Sequence, residues 1–151
     1  KTKQLSQAID AIEKEMGRSA SDQEIANTLG VSVEELRKTM VEMHSFAVVS
    51  LEEQLYDIAG SMATSSRYDD PERVVQVNEL KAHLAKAIDE LPERERMVIS
   101  LYYFDELTLK EIGMVLGVSE SRVSQLHTRA LLKLKNKLNR IKSDLWEGGL
   151  A

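Results

Sequence analysis

The chain has 151 residues, 42% hydrophobic and 30% charged, with a formal net charge of −5, which suits one domain or two small ones of about 60–70 residues each. It contains no cysteine, which excludes a disulfide frame, a thiolate metal site and a cysteine nucleophile, and no apolar run approaches the roughly 18 residues of a membrane span. Glycine, proline and strand-favouring aromatics are few, so the composition leans toward helix.

Leu5, Ile9, Ile12 and Met16 recur at helical spacing and predict a helix over 3–16, ended by Gly17. Ser21-Asp22-Gln23-Glu24 has the form of a capping box and opens a short helix over 23–29 that stops at Gly30. Ser32-Val33-Glu34-Glu35 repeats the device and starts a third helix bearing Leu36, Met40 and Met43. Two short helices joined by a glycine turn are a helix-turn-helix signature. Residues 46–51, FAVVSL, break the period and read as extended, and the polar, turn-rich stretch over 56–71 reads as a mobile linker.

Asp70-Pro71 starts the next helix, with Val74, Val77, Leu80, Leu84, Ile88 and Leu91 on one stripe until Pro92 halts it. A short helix over 93–103 turns Met97, Val98, Leu101 and Tyr102 inward, and Leu109, Ile112 and Leu116 line another. Gly117 turns the chain, and Ser119 caps a long last helix carrying Val123, Leu126, Ala130, Leu131, Leu134, Leu138 and Ile141. The expected fold class is all-α: two small helical bundles, 1–50 and 72–145, each with a helix-turn-helix, joined by a flexible linker over 51–71.

The two helix-turn-helices share a phrase. Residues 24–32 read EIANTLGVS and residues 111–119 read EIGMVLGVS, with six identical residues in nine. The residues after the shared phrase differ. After Ser119 come Glu120, Ser121, Arg122, Val123, Ser124 and Gln125; after Ser32 come Val33, Glu34, Glu35, Leu36, Arg37 and Lys38. In a helix-turn-helix the second helix enters the major groove with its N-terminal residues on base edges. With Val123 and Leu126 inward, Glu120, Ser121, Ser124 and Gln125 point out, with Arg122 beside them. Arg suits guanine, Gln adenine, and Glu accepts from cytosine. The two carboxylates of the first copy favour helix initiation and repel phosphate, so DNA reading is assigned to the second copy.

Charge distribution agrees. Residues 121–142 hold seven bases and no acid, whereas the preceding 120 residues carry a net charge of −10. Local charge decides where a phosphate backbone docks, and Arg129 and Lys133 are the expected phosphate contacts. His127 is either a surface residue without a role or part of this contact. Trp146 is either a packing anchor or a partner contact. His44 and His83 read as ordinary helix residues, and the methionines as core fillers. No His, Asp or Glu grouping has metal-ligand spacing, and no acid–base pair suggests catalysis. No metal, cofactor or enzymatic activity is expected. With neither a signal-peptide pattern nor a membrane span, the expected location is the cytoplasm. The start at Lys1, without an initiator Met, suggests a trimmed chain.

Residues 91–135, LPERERMVISLYYFDELTLKEIGMVLGVSESRVSQLHTRALLKLK, resemble the fourth domain of bacterial RNA polymerase sigma factors. SRVSQLH in particular is similar to the flagellar and sporulation-type group. Residues 1–50 look like the third sigma domain and 51–71 like the linker between them, so the resemblance covers essentially the whole chain and leaves no part of it for the first two domains. It implies promoter DNA and the polymerase core, through its beta and beta-prime subunits, as partners. It implies that the last helix-turn-helix reads the minus-thirty-five element through Glu120, Ser121, Arg122, Ser124 and Gln125, with Arg129 and Lys133 on the backbone. It also implies an apolar grip on the beta flap, for which Leu101, Phe104, Leu107 and Leu131 are candidates, and control by an anti-sigma factor. The alternative is a free-standing helix-turn-helix regulator, which needs a dimer surface.

Overall fold

The computed structural model describes residues 2–62 and 71–148, with side chains placed at 3–58, 60 and 77–143. The order among the described residues is α1 (Thr2–Met16), α2 (Asp22–Leu29), α3 (Val33–Met62), α4 (Pro71–Asp89), α5 (Glu93–Tyr103), α6 (Leu109–Leu116) and α7 (Glu120–Gly148). They contain no strand, and the all-α class holds.

Each helix-turn-helix is set by the same three local devices. The first helix ends on a glycine in the left-handed region, Gly30 and Gly117, both at φ 70°. An L side chain there costs about 1–2 kcal/mol. Past each glycine, a backbone N–H reaches back to close the turn: Val31 onto the carbonyl of Ala26 at 3.0 Å, and Val118 onto that of Gly113 at 2.9 Å. A serine then caps the second helix, Ser32 accepting from the Glu35 N–H and Ser119 from the Arg122 N–H, both at 3.1 Å. The entry to α6 is a full capping box of Thr108 and Glu111, which the helical spacing alone does not single out. At Ser21 the hydroxyl accepts from the Glu24 N–H at 3.2 Å. There the Glu24 carboxylate also takes hydrogen bonds from Arg18 at 2.8 Å and the Ser21 hydroxyl at 2.9 Å, which hold it below its ordinary pKa.

The described residues form two compact units, and neither follows a simple half of the chain. The first comprises Lys1–Phe46 with Glu93–Ala130; the second comprises Ala47–Pro92 with Leu131–Ala151. The first unit holds both helix-turn-helices, each on its own apolar cluster. Leu5, Ile9, Ile12, Ala20, Ile25, Ala26, Leu36 and Met40 form one. Val98, Ile112, Val123 and Leu126 form the other, with Leu101, Tyr102, Leu107, Leu109, Leu116 and Val118 packed against it. In the second unit Ala47, Ile58, Ala87, Leu91, Leu131, Leu134 and Leu138 are buried. Lys137 pairs with Glu90 at 2.5 Å and Lys142 approaches Asp57 at 3.7 Å, tying α7 to the turn after α4 and to the C-terminal part of α3.

Two expectations change. The segment expected to be extended, 46–51, lies inside α3, and the first part of the expected linker, 51–62, is the C-terminal part of the same helix. Ala47, Ser50 and Ile58 are buried while Phe46, Val49 and Tyr56 are exposed. The apolar residues therefore wrap around a helix instead of alternating across a strand. Residues 63–70 lie outside the described residues, as does the side chain of Trp146.

Gly113, at the position of Ala26 in the first copy, is held by contact. A Cβ there would sit 2.8 Å from the Val118 carbonyl oxygen, in the same turn. Gly113→Ala is expected to cost about 1–3 kcal/mol by overpacking and Gly117→Ala about 1–2 kcal/mol through its positive φ. Urea unfolding followed by circular dichroism measures both, with Ala26→Gly as the reverse substitution in the first copy.

Candidate nucleic-acid interface

The N-terminal half of α7 is a two-sided element. Val123 and Leu126 enter the cluster beneath α5 and α6, as the spacing predicts. The residues expected to face water are covered on the other side: Ser121 is 2% exposed, Ser124 and Gln125 6%, and His127 0%. Glu120 alone among the expected base readers lies on the exposed surface, and Arg122 is half-buried. These five residues do point away from their own core, but α1 and α2 make contacts with Ser121, Arg122 and Gln125 on that side.

The contacts are specific. Arg122 approaches Asp10 at 3.5 Å through a terminal nitrogen and Glu13 at 3.2 Å through Nε, and it donates to the Gln125 side-chain oxygen. The Nε–Glu13 approach is an ion contact without hydrogen-bond alignment. Gln125 Nε2 donates to the Ser6 hydroxyl at 2.8 Å. Arg129 donates to the same hydroxyl at 2.6 Å and to Asp10 at 3.2 Å. The Ser121 hydroxyl donates to the Asp22 carboxylate, and the Ser119 N–H to the Ser19 hydroxyl at 3.2 Å.

Two helical stripes meet here. Arg122, Gln125 and Arg129 stand at i, i+3 and i+7 on α7, and Ser6, Asp10 and Glu13 at i, i+4 and i+7 on α1. Both spacings place three residues on one helix face. Glu13 meets the start of the α7 stripe and Ser6 its end, so the two stripes run antiparallel. Arg122 is 16% exposed in its side chain and Glu13 21%, against 53% for Asp10. Half-solvated pairs of the Asp10 kind contribute about 0.2–1 kcal/mol each. Their larger effect is to satisfy a guanidinium that burial would otherwise leave without partners.

His127 departs furthest from its sequence expectation. It is a buried ring, not a surface residue. Its Nε2 lies 3.0 Å from the Tyr103 hydroxyl, and it stacks on His44 of α3 with centroids 4.2 Å apart. Tyr102 meets both rings edge-on. Burial first, and then the neighbouring His44, push His127 down to about 3; burial alone lowers His44. His44 is thus a packing partner of the last helix, whereas His83 is an exposed residue of α4. The only signal in the sequence for the His44–Tyr103–His127 grouping is three ring residues on separate helices, which spacing alone does not connect. Arg129 is half-buried in the stripe, and Lys133, in the second unit, is exposed.

Of the four flap-grip candidates, only Phe104 stands out on the surface, at 77% exposure. Leu101 and Leu107 pack on the core, and Leu131 is buried. Met114 and Val115 of α6, 78% and 60% exposed, are further apolar surface residues that helical spacing did not mark out.

Residues 1–56 match the description "Sigma-70 region 3" and residues 87–136 match "Sigma-70, region 4". The chain belongs to the sigma-70 family. Region 3 takes in α1, α2 and most of α3; region 4 takes in α5, α6 and the first half of α7, so the stripe contact joins region 3 to region 4. The chain is 41% identical over 146 residues to the RNA polymerase sigma-D factor of Bacillus subtilis, covering 93% of this chain and 58% of that one. It is 42% identical over 139 residues to the RNA polymerase sigma factor FliA of Pseudomonas aeruginosa, covering 91% and 56%. A solved flagellar sigma/anti-sigma complex, Sigma-28/FlgM, superposes with a TM-score of 0.76 at 35% identity, covering 91% of this chain and 57% of that one. A second Sigma-28(FliA)/FlgM complex gives 0.78 at 35% identity, covering 91% and 59%. The chain thus spans somewhat under three fifths of the length of these relatives.

The buried histidines set a pH dependence. His127 must stay neutral to remain packed, and its folded pKa lies below the ordinary 6.5. Its contribution is complete above about pH 6.5 and is lost as pH falls from there toward 3. Between pH 7 and 5 the loss is expected to reach about 2 kcal/mol, at 1.36 kcal/mol per pKa unit. Urea midpoints at the two pH values measure it, and His127→Asn should flatten the difference.

Proposed function

We propose that the chain is the promoter-reading and polymerase-docking part of a sigma factor of the flagellar and sporulation type. The observation that carries the proposal is the match of region 4 to a helix-turn-helix whose apolar residues, Val123 and Leu126, leave Glu120, Ser121, Arg122, Ser124 and Gln125 on the opposite side of α7. On this reading those five residues contact the base edges of the minus-thirty-five element. Arg129 and Lys133 hold the phosphate backbone, which positions the helix without reading sequence. His127 acts indirectly, as the ring that seats α7 against Tyr103.

The partners are promoter DNA and the polymerase core, reached through the beta flap and beta-prime. Phe104, Met114 and Val115 are the exposed apolar residues that support a flap contact. The likeness to two Sigma-28/FlgM complexes supports control by an anti-sigma protein. The chain acts as a specificity subunit without catalysis or a cofactor of its own. Among the described residues no helix is long and apolar enough to cross a membrane, and the cytoplasm is the proposed location. The division into a third sigma domain over 1–50 and a fourth over 72–145 is part of the proposal, with α3 carrying the first on to Met62.

In vitro transcription with core polymerase and the full-length parent tests the assignment. Gln125→Ala and Arg122→Ala are expected to change promoter choice, each base contact being worth about 1–3 kcal/mol. Unchanged selectivity in both, or a stable dimer on an inverted repeat, sinks the reading. For the backbone contacts, Arg129→Ala and Lys133→Ala should each reduce the slope of log affinity against log salt by about one.

A further inference from the structure

The C-terminal half of α7 carries a second basic face, of which the DNA-reading assignment uses only Lys133. Lys133, Asn136, Lys137 and Arg140 stand at i, i+3, i+4 and i+7, on one side of the helix. The turn after α4, from Glu90 to Pro92, lies against this stripe. Together they enclose a groove of about 180 Å³, wholly within the second unit. A single water needs about 10–15 Å³, so the groove is sized for a small organic molecule and not for a lone ion. Its walls are of mixed sign, three cations against one carboxylate. Lys137 reaches Glu90 across it at 2.5 Å and holds that carboxyl below its ordinary pKa. Lys133 and Arg140 are exposed, and Leu91 and Pro92 give the groove an apolar edge.

This layout selects a ligand class. From Lys133 to Arg140 the helix rises about 10 Å, at 1.5 Å per residue, which matches a chain of phosphate groups better than a single one. Ammonium and guanidinium groups are natural phosphate partners. An ionised carboxylate only accepts hydrogen bonds, so Glu90 calls for a hydroxyl or amino donor. A continuous nucleic-acid backbone would bring one more phosphate to Glu90 and be repelled. A ribose brings hydroxyls, the groups from which an acidic residue accepts in dinucleotide sites. We propose that this groove binds a ribonucleoside diphosphate. Its phosphates lie on Lys133, Lys137 and Arg140, its ribose hydroxyls donate to Glu90, and its base rests against Leu91 and Pro92. Binding exchanges the Glu90–Lys137 pair for bonds to the ligand, which then ties the turn to α7 in its place. The site shares Lys133 with the proposed DNA contact but stands independently of it.

The test is calorimetric titration of the whole chain at low salt, with ADP and inorganic pyrophosphate as probes. Lys133→Ala with Arg140→Ala should weaken ADP binding at least about tenfold, the scale of hydrogen bonds to charged groups. Lys81→Ala with Lys135→Ala makes the same change in net charge outside the groove and should weaken it much less. No binding of ADP at millimolar concentration, or equal losses in the two variants, overturns the proposal. Pyrophosphate should bind wild type severalfold more weakly than ADP. Glu90→Ala should tighten pyrophosphate binding and remove the advantage of ADP. Equal affinity of the two probes for wild type, or an ADP advantage that Glu90→Ala leaves whole, overturns the nucleoside assignment. A random-sequence duplex whose affinity falls in Arg140→Ala as far as that of ADP assigns the groove to a nucleic-acid backbone and overturns the proposal as well. None of these readouts depends on promoter selectivity, so the site can fail while the proposed function stands, and the reverse.

Discussion

Arg122 cannot be half-buried without partners, and much of the first unit is arranged around that constraint. A guanidinium has five donors in a rigid fork and no way to discharge itself. It sits one residue before Val123, which is fully buried in the region 4 core, so the helix cannot rotate to carry Arg122 into water without pulling Val123 out. The partners must come from elsewhere, and α1 supplies them from more than 100 positions away, at Asp10 and Glu13. Once α1 is docked there, Gln125 and Arg129, one and two turns further along, meet Ser6 and Asp10 as a matter of helical repeat.

The same dependence explains why one short phrase occurs twice and does two things. EI…LGVS encodes a left-handed glycine, a closing N–H to carbonyl bond and a serine cap, which is geometry and no more. In the first copy the residues after the cap are Glu34 and Glu35, both exposed, and the helices before it bring acids to the interface. In the second copy Glu120 is followed by the donors Ser121, Arg122 and Gln125. The two copies are therefore complementary in charge where they are alike in backbone. One difference inside the phrase, Ala26 against Gly113, comes from how closely the Val118 carbonyl approaches.

The ring cluster adds an apolar and pH-sensitive end to an otherwise polar contact. His127 and His44 are stacked neutral rings with lowered pKa values, and Tyr103 gives one of them a hydrogen-bond partner. This makes the packing of α3 on α7 insensitive to pH near neutrality and vulnerable under acid, while the charged stripe beside it responds to salt. Phe104, Met114 and Val115 remain outside both contacts and form an exposed apolar surface on region 4.

The helical class, both glycine turns, the serine caps and the division of α7 into an apolar and a polar side could be read along the chain, because each depends on residues within about one or two turns of one another. The sigma resemblance could be read for the same reason, as a run of adjacent letters. The helical state of 46–62 could not, since its buried positions, Ala47 and Ser50, are small and carry little hydrophobic signal. Nor could the cover over Ser121, Ser124 and Gln125. Periodicity tells which side of a helix is polar, but whether that side meets water or another helix depends on residues far away in the chain. The stripe Ser6–Asp10–Glu13 looks like an ordinary solvated face until folding sets it against Arg122 and Arg129. Local chemistry thus marked out the polar side of α7, and long-range packing decided that in this arrangement Ser121, Ser124 and Gln125 meet other helices and not water.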